Sequence, residues 1–187
     1  MSVVRACAWS ILGLTFAALQ LAIVPATTAA PLEVRPFALT DQDGRSVTAR
    51  SMQGRPYLVS FGFTHCADVD VATLSEVSAI MRNLGPDADR VGALFITVDP
   101  QRDTPAAMKR YLSEFDPHVR GLTGNATAVN AMMKAFHIHH HKVAFKGGYG
   151  VDHTTTVYLV NKNGKFVGPF DIRRPPHEGA ADLRQFM

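Results

Sequence analysis

Residues Tyr57–Phe63 read YLVSFGF and run directly into Thr64-His65-Cys66-Ala67-Asp68. An apolar and aromatic run this short, bounded by a polar loop, predicts a buried strand rather than a helix. Beyond the loop, Val71, Leu74, Val77, Ile80, Met81 and Leu84 recur at helical spacing until Gly85-Pro86 closes the segment. Cys66 thus sits at a strand-to-helix junction, a recurrent place for reactive thiols because a helix N-terminus favours the thiolate.

Working outward from that junction, Val91–Val98, VGALFITV, is a second buried strand. After the loop DPQRDTP a helix begins, with Thr104 as N-cap and Pro105 at its first position. Val119–Leu122 reads as a short strand, Ala126–Phe136 as a helix and Ile138–Phe145 as an extended segment. Thr154–Val160 reads as a strand turning at Asn163-Gly164 into Lys165–Phe170, and His177–Met187 as a closing helix. Upstream, PFALTDQDGRSVT over Pro36–Thr48 has extended runs on either side of Asp43-Gly44 and predicts a β-hairpin. Strands alternating with helices and ending in a hairpin argue for an α/β sandwich with a mixed sheet.

The chain has 187 residues, 47% of them hydrophobic and 19% charged, a globular composition. Residues 1–30 read apart from the rest: Arg5, an uncharged stretch from Ala6 to Val24, then small residues from Ala26 to Ala30. This is an export signal or an N-terminal membrane anchor, and 31–187 is one domain. Either form puts the domain outside the cytoplasm, in a periplasm, soluble after cleavage or tethered to the inner membrane through residues 6–24. The net charge of +3 is too small to imply a nucleic-acid partner. The two cysteines are Cys7, in the export segment, and Cys66, so the domain 31–187 forms no internal disulfide. The Cys66 thiol is then a ligand, a nucleophile, an intermolecular partner or a core residue. Its neighbours Thr64, His65, Asp68 and Asp70 suit an accessible site better than core packing.

His153 lies in GYGVDHTTTVYLV, just before an apolar run. A thiolate and an imidazole make a soft-to-borderline donor set of the kind copper favours, whereas zinc normally asks for four ligands. Sequence separation alone does not bring Cys66 and His153 together.

Three segments, FGFTHCADVD, FITVDPQRDTP and YGVDHTTTVYLVNKNG, resemble in order and spacing the signature segments of the Sco/SenC copper-binding assembly proteins, over about residues 36–187. The resemblance implies a thioredoxin-like sandwich with a mixed central sheet, flanking helices and an inserted β-hairpin. It implies an exported, often membrane-tethered domain that binds copper and serves the assembly of the dinuclear copper site of cytochrome c oxidase, by copper delivery or thiol reduction. The implied partners are a copper-receiving oxidase subunit and a second copper chaperone or thiol reductant. In that family two cysteines spaced C-x-x-x-C and a distant histidine hold the metal, and the matching positions here are Cys66 and His153.

Where the second cysteine is expected, this chain has Asp70. Two readings stand side by side: Asp70 is a third ligand, whose hard oxygen biases the site toward Cu(II) over Cu(I), or it caps the following helix. With one thiol, the intramolecular dithiol-disulfide cycle is absent and no catalytic residue is expected. Phe136–Lys142, FHIHHHK, holds half of the eight histidines, and in an extended strand His139 and His141 share one face, either as a secondary metal site or as a polar strand edge. Asp99, Arg102 and Asp103 form either a partner-docking rim or a local structural ion pair. The competing functions are a single-cysteine thiol oxidoreductase or peroxidase of the same fold, and a metal-free binding or sensing module. A peroxidase of the peroxiredoxin type would place its threonine three residues before the cysteine, where this chain has Phe63.

Overall fold

The computed structural model describes residues 37–187, so the export or anchor segment 1–30 lies outside the described residues. The YLVSFG run forms β3 (Tyr57–Gly62), fully buried along its length, and its parallel neighbour β4 (Gly92–Thr97) is equally buried. Burial on both faces explains why both runs, Ser60 and Thr97 aside, are apolar rather than alternating. Around them a seven-stranded mixed sheet runs in the order β2-β1-β5-β4-β3-β8-β9. Its remaining strands are β1 (Ala38–Asp41), β2 (Ser46–Thr48), β5 (Val119–Thr123), β8 (Tyr158–Val160) and β9 (Phe166–Pro169). β5 is parallel to β4, while β8 pairs antiparallel to β3 and β1 antiparallel to β5.

Alternation along β3 sends Tyr57, Val59 and Phe61 to one face and Leu58 to the other. The first face is covered by α3 (Ala126–Ala135) through Val129, Met132 and Met133. The second is covered by α1 (Val69–Leu84), α2 (Pro105–Leu112) and α4 (Pro176–Arg184) through Leu74, Val77, Met108, Leu112 and Leu183. Thr104 caps α2 as its position predicts, its hydroxyl accepting from Ala107 N at 3.2 Å. The hairpin over Asp43-Gly44 forms, with Gly44 at φ +80°.

Two strand expectations change. The strand predicted from Thr154 begins only at Tyr158, because Thr154–Thr156 are not paired into the main sheet. Instead β7 (Gly148–His153) pairs antiparallel with β6 (His140–Phe145) as a separate two-stranded ribbon inserted between α3 and β8. The architecture is a thioredoxin-like α/β sandwich with an inserted hairpin, and His153 is the last residue of that hairpin rather than the foot of the strand after it.

Candidate metal centre

The parallel strands deliver the loop carrying Cys66 at their C-terminal ends, where α/β sheets gather functional groups. After Gly62 the chain turns tightly, Cys66 N donating to Phe63 O at 3.1 Å. Asp103, with no exposed surface, pins this loop: it accepts from Thr64 Oγ1 at 2.7 Å and Thr64 N at 3.2 Å, and from Thr97 Oγ1 at 2.7 Å. Burial raises its pKa, the hydrogen bonds from Thr97 and Thr64 oppose the rise, and the nearby Asp99 charge adds to it. Cys66 emerges half-buried and unpaired by any disulfide.

Asp70 lies in the first turn of α1 and is 2% exposed. The N-cap residue of that helix is Asp68, with no side-chain cap hydrogen bond, so neither aspartate caps it. The Asp70 carboxylate turns back toward the sheet instead, Oδ2 accepting from Phe63 N at 3.0 Å. Only glycine fits at position 62, since a Cβ there would overlap both the Asp70 carboxylate and the Phe95 ring.

His153 arrives from the ribbon. Its Nε2 lies 3.4 Å from Asp70 Oδ2, both side chains being 2% exposed. Its Nδ1 lies 3.1 Å from Thr154 O, so an Nδ1–H donates to that carbonyl and leaves Nε2 as the nitrogen facing Asp70 and Cys66. Burial pulls the imidazole pKa down, but the Asp70 hydrogen bond and charge, with the Thr154 carbonyl, outweigh it and leave the pKa raised above 6.5. The ring meets Phe63 edge-on at 5.8 Å.

A clamp holds the ribbon against the strand ends. Asp99 pairs with Arg102 Nε and accepts from Tyr149 Oη at 3.0 Å. The Arg102 guanidinium stacks 3.8 Å from the Tyr149 ring centroid and donates Nη1 to Tyr149 O at 2.9 Å. The docking-rim reading of Asp99, Arg102 and Asp103 is therefore corrected. Asp99 and Asp103 are 2% and 0% exposed, and their carboxylates are spent on internal donors. Tyr149, Thr97 and Gly62 were not marked by the sequence: Tyr149 serves Asp99 50 residues away, and the roles of Thr97 and Gly62 depend on how Asp103 and Asp70 turn in the fold.

His139 and His141 do not join the Cys66 group. His141 faces Asp152 across the ribbon, and His65 is exposed and turned toward Thr64 and Asp103. Among the described residues, the group of three whose donor atoms already lie within 4.8 Å of one another is Cys66, Asp70 and His153. Metal bonds to sulfur, nitrogen and oxygen run about 2.0–2.3 Å, so two ligands of one ion stand at most about 4.6 Å apart, within a small adjustment of this geometry.

Comparison with known proteins adds to this. The family model described as SCO1/SenC matches residues 25–187. The structure of Bradyrhizobium japonicum ScoI with copper bound superposes with a TM-score of 0.80 and 48% identity, covering 81% of this chain and 98% of that one. Yeast Sco1 with copper bound gives a TM-score of 0.71 and 30% identity, over 80% of this chain and 85% of that one. An SCO2-like protein of Rickettsia conorii is 34% identical over 151 residues, 79% of this chain and 74% of that protein.

Proposed function

The chain belongs to the SCO1/SenC family, and from that premise we propose that it is a copper-binding assembly protein for cytochrome c oxidase that holds its ion with Cys66, His153 and Asp70. The observation that carries the reading is the convergence of a thiol, a buried imidazole and a buried carboxylate at the strand ends, from residues 66, 70 and 153. That two similar proteins carry copper agrees with it.

The donor set bears on oxidation state. A Cys66 thiolate and an Asp70 carboxylate carry two negative charges, which Cu(II) neutralises completely and Cu(I) only by half. In a site where two of three ligands are 2% exposed, uncompensated charge is costly. The hard carboxylate oxygen favours Cu(II) in the same direction. Asp70 Oδ2 and His153 Nε2 stand 3.4 Å apart in the metal-free protein, a pairing that raises the imidazole pKa, so copper uptake competes with a proton on Nε2.

Cys66 is the most accessible ligand and opens on a groove of about 280 Å³ lined by Phe63, Val69, Val143 and Val151. An oxidase subunit receiving the ion meets Cys66 first. With one thiol in the domain, any reduction of a partner or of the ion draws its second thiol from elsewhere, a second chaperone or a thiol reductant. The N-terminal segment supports an exported, periplasmic setting, cleaved or tethered.

The test is to load the purified protein with Cu(II) and separately with Cu(I), following stoichiometry and the thiolate-to-copper charge-transfer band. One tightly held Cu(II) is expected at this centre, with the band abolished in Cys66→Ala and binding weakened in His153→Ala and Asp70→Ala. Binding indifferent to Cys66 and His153 would sink the reading.

A further inference from the structure

The inserted ribbon has two faces, and the one that carries His153 supplies the ligand to the Cys66 centre. Residues of one parity, Tyr149, Val151 and His153, turn inward, where Tyr149 and Val151 pack on the core. The other parity, His139, His141, Gly150, Asp152 and Thr154, turns outward. Although β6 begins at His140, the ladder continues one residue further: Thr154 N donates to His139 O at 3.0 Å and His139 N to Thr154 Oγ1 at 3.1 Å. His139 is therefore held extended, two residues from His141 and on the same face. Directly opposite His141 in the register stands Asp152, and His141 Nε2 lies 3.6 Å from Asp152 Oδ2.

We propose that His139, His141 and Asp152 form a second metal site, for a borderline divalent ion of which Cu(II) is the best fit. Two histidines at i and i+2 on a strand stand about 6.6–6.8 Å apart, twice the rise per residue, a span that two imidazole arms close onto one ion. A cross-strand neighbour has its Cβ about 4.5–5.5 Å away, which brings the Asp152 carboxylate to the same ion. Two neutral imidazoles and one carboxylate suit Cu(II) first among first-row divalent metals. The local charge agrees: Lys142, the nearest cation on β6, has the inward parity and is engaged with Gln101 Oε1 at 2.9 Å and with the Tyr149 ring. His141 and Asp152 are 67% and 69% exposed, so their side chains are free to gather around an ion without disturbing the core.

The position of the site suggests its use. Asp152 precedes His153 in the chain and lines the same groove as Cys66, with Val143 and Gly150 beside it. An ion held by the outer face thus sits at the mouth of the groove leading to the buried centre. The site itself stands independently of the Cys66 reading; its use as a capture point rests on it.

The test uses the full chain carrying Cys66→Ala, titrated with Cu(II) and read by electron paramagnetic resonance and calorimetry, with circular dichroism to confirm each variant's fold. One bound Cu(II) with coupling to two imidazole nitrogens is expected. His139→Ala with His141→Ala is expected to weaken it by about 10–100-fold or more, since losing even an outer partner of a ligand costs that much. Asp152→Asn weakens it less, and His140→Ala, of the opposite parity, leaves it unchanged. In the chain with Cys66 intact, the double histidine variant lowers Cu(II) stoichiometry from two to one and keeps the thiolate band. Absence of Cu(II) binding in Cys66→Ala, indifference to the double variant, or equal loss in His140→Ala overturns the proposal. Loss of the thiolate band with the outer binding retained counts against the Cys66 centre alone.

Discussion

β3 and β4 are buried at every one of their twelve positions, six in each strand, whereas all six residues of β6 are exposed. Both regions nonetheless furnish the centre. Cys66 and Asp70 follow β3, which is paired on both edges and covered on both faces; His153 ends β7, whose one partner strand is β6. The thiol and the carboxylate are thus positioned by the core itself, through Asp103 on the loop and Gly62 under the carboxylate. The imidazole is positioned by a clamp of Asp99, Arg102 and Tyr149 that fastens an otherwise peripheral ribbon. Stability and metal affinity should therefore respond to different residues.

The largest effect tests the core side. Phe61, 2% exposed and tilted against the Phe136 ring with centroids 5.4 Å apart, is expected to cost about 3–5 kcal/mol when cut to alanine, measured by denaturant unfolding. Phe145→Ser at the ribbon tip, where the ring is 61% exposed, is expected to stay within about 0.5 kcal/mol. A loss of several kcal/mol from Phe145→Ser would show instead that the ribbon belongs to the cooperative core.

Tyr149→Ala removes the surface on which Arg102 stacks and the hydroxyl that Asp99 accepts from, together about 1–2 kcal/mol of stability. Because the same residue orients the ribbon that carries His153, copper affinity is expected to fall by about 10–100-fold, read by competition with a chromophoric chelator. A stability loss with copper binding untouched would mean that His153 is held by its own pair with Asp70 and the clamp is only structural.

The same division explains what the sequence disclosed. The runs YLVSFGF and VGALFITV could be read as buried strands because burial on both faces leaves each with one small polar residue, Ser60 and Thr97, both hydrogen-bonded internally, and Thr104-Pro105 could be read as a helix start because capping is local. GYGVDH was not read as a strand: two glycines and Asp152 lower its strand propensity, only Tyr149 and Val151 mark its inward face, and it pairs only with a strand that is itself exposed. The burial of Asp99 and Asp103 was equally hidden, since it depends on hydroxyls of Thr64, Thr97 and Tyr149, the first and last lying 39 and 50 residues from their partners. The pairing of Cys66 with His153 came from resemblance; the orientation of Asp70 toward Phe63 N rather than into its own helix came only from the fold.

The smallest effect concerns the contact between the two regions, the pair of Asp70 and His153. The folded-state pKa of His153 is raised above 6.5, so in the metal-free protein the stabilisation it gains from Asp70 is fully present below about pH 6.5 and is lost as pH rises through the raised value. The stability difference between wild type and Asp70→Asn is thus expected to be greatest near pH 6 and to shrink on the alkaline side, followed by thermal melts at constant salt. Copper must displace the same proton, so Cu(II) affinity rises with pH over that window while metal-free stability from this pair declines. The opposed slopes are diagnostic. A general pH effect on the fold would move both proteins alike, whereas Asp70→Asn should flatten the His153 contribution to each slope. If the difference instead grew as pH rose above 6.5, Asp70 would not be holding His153 as a cation, and the carboxylate would act in the metal-free protein only as the acceptor for Phe63 N.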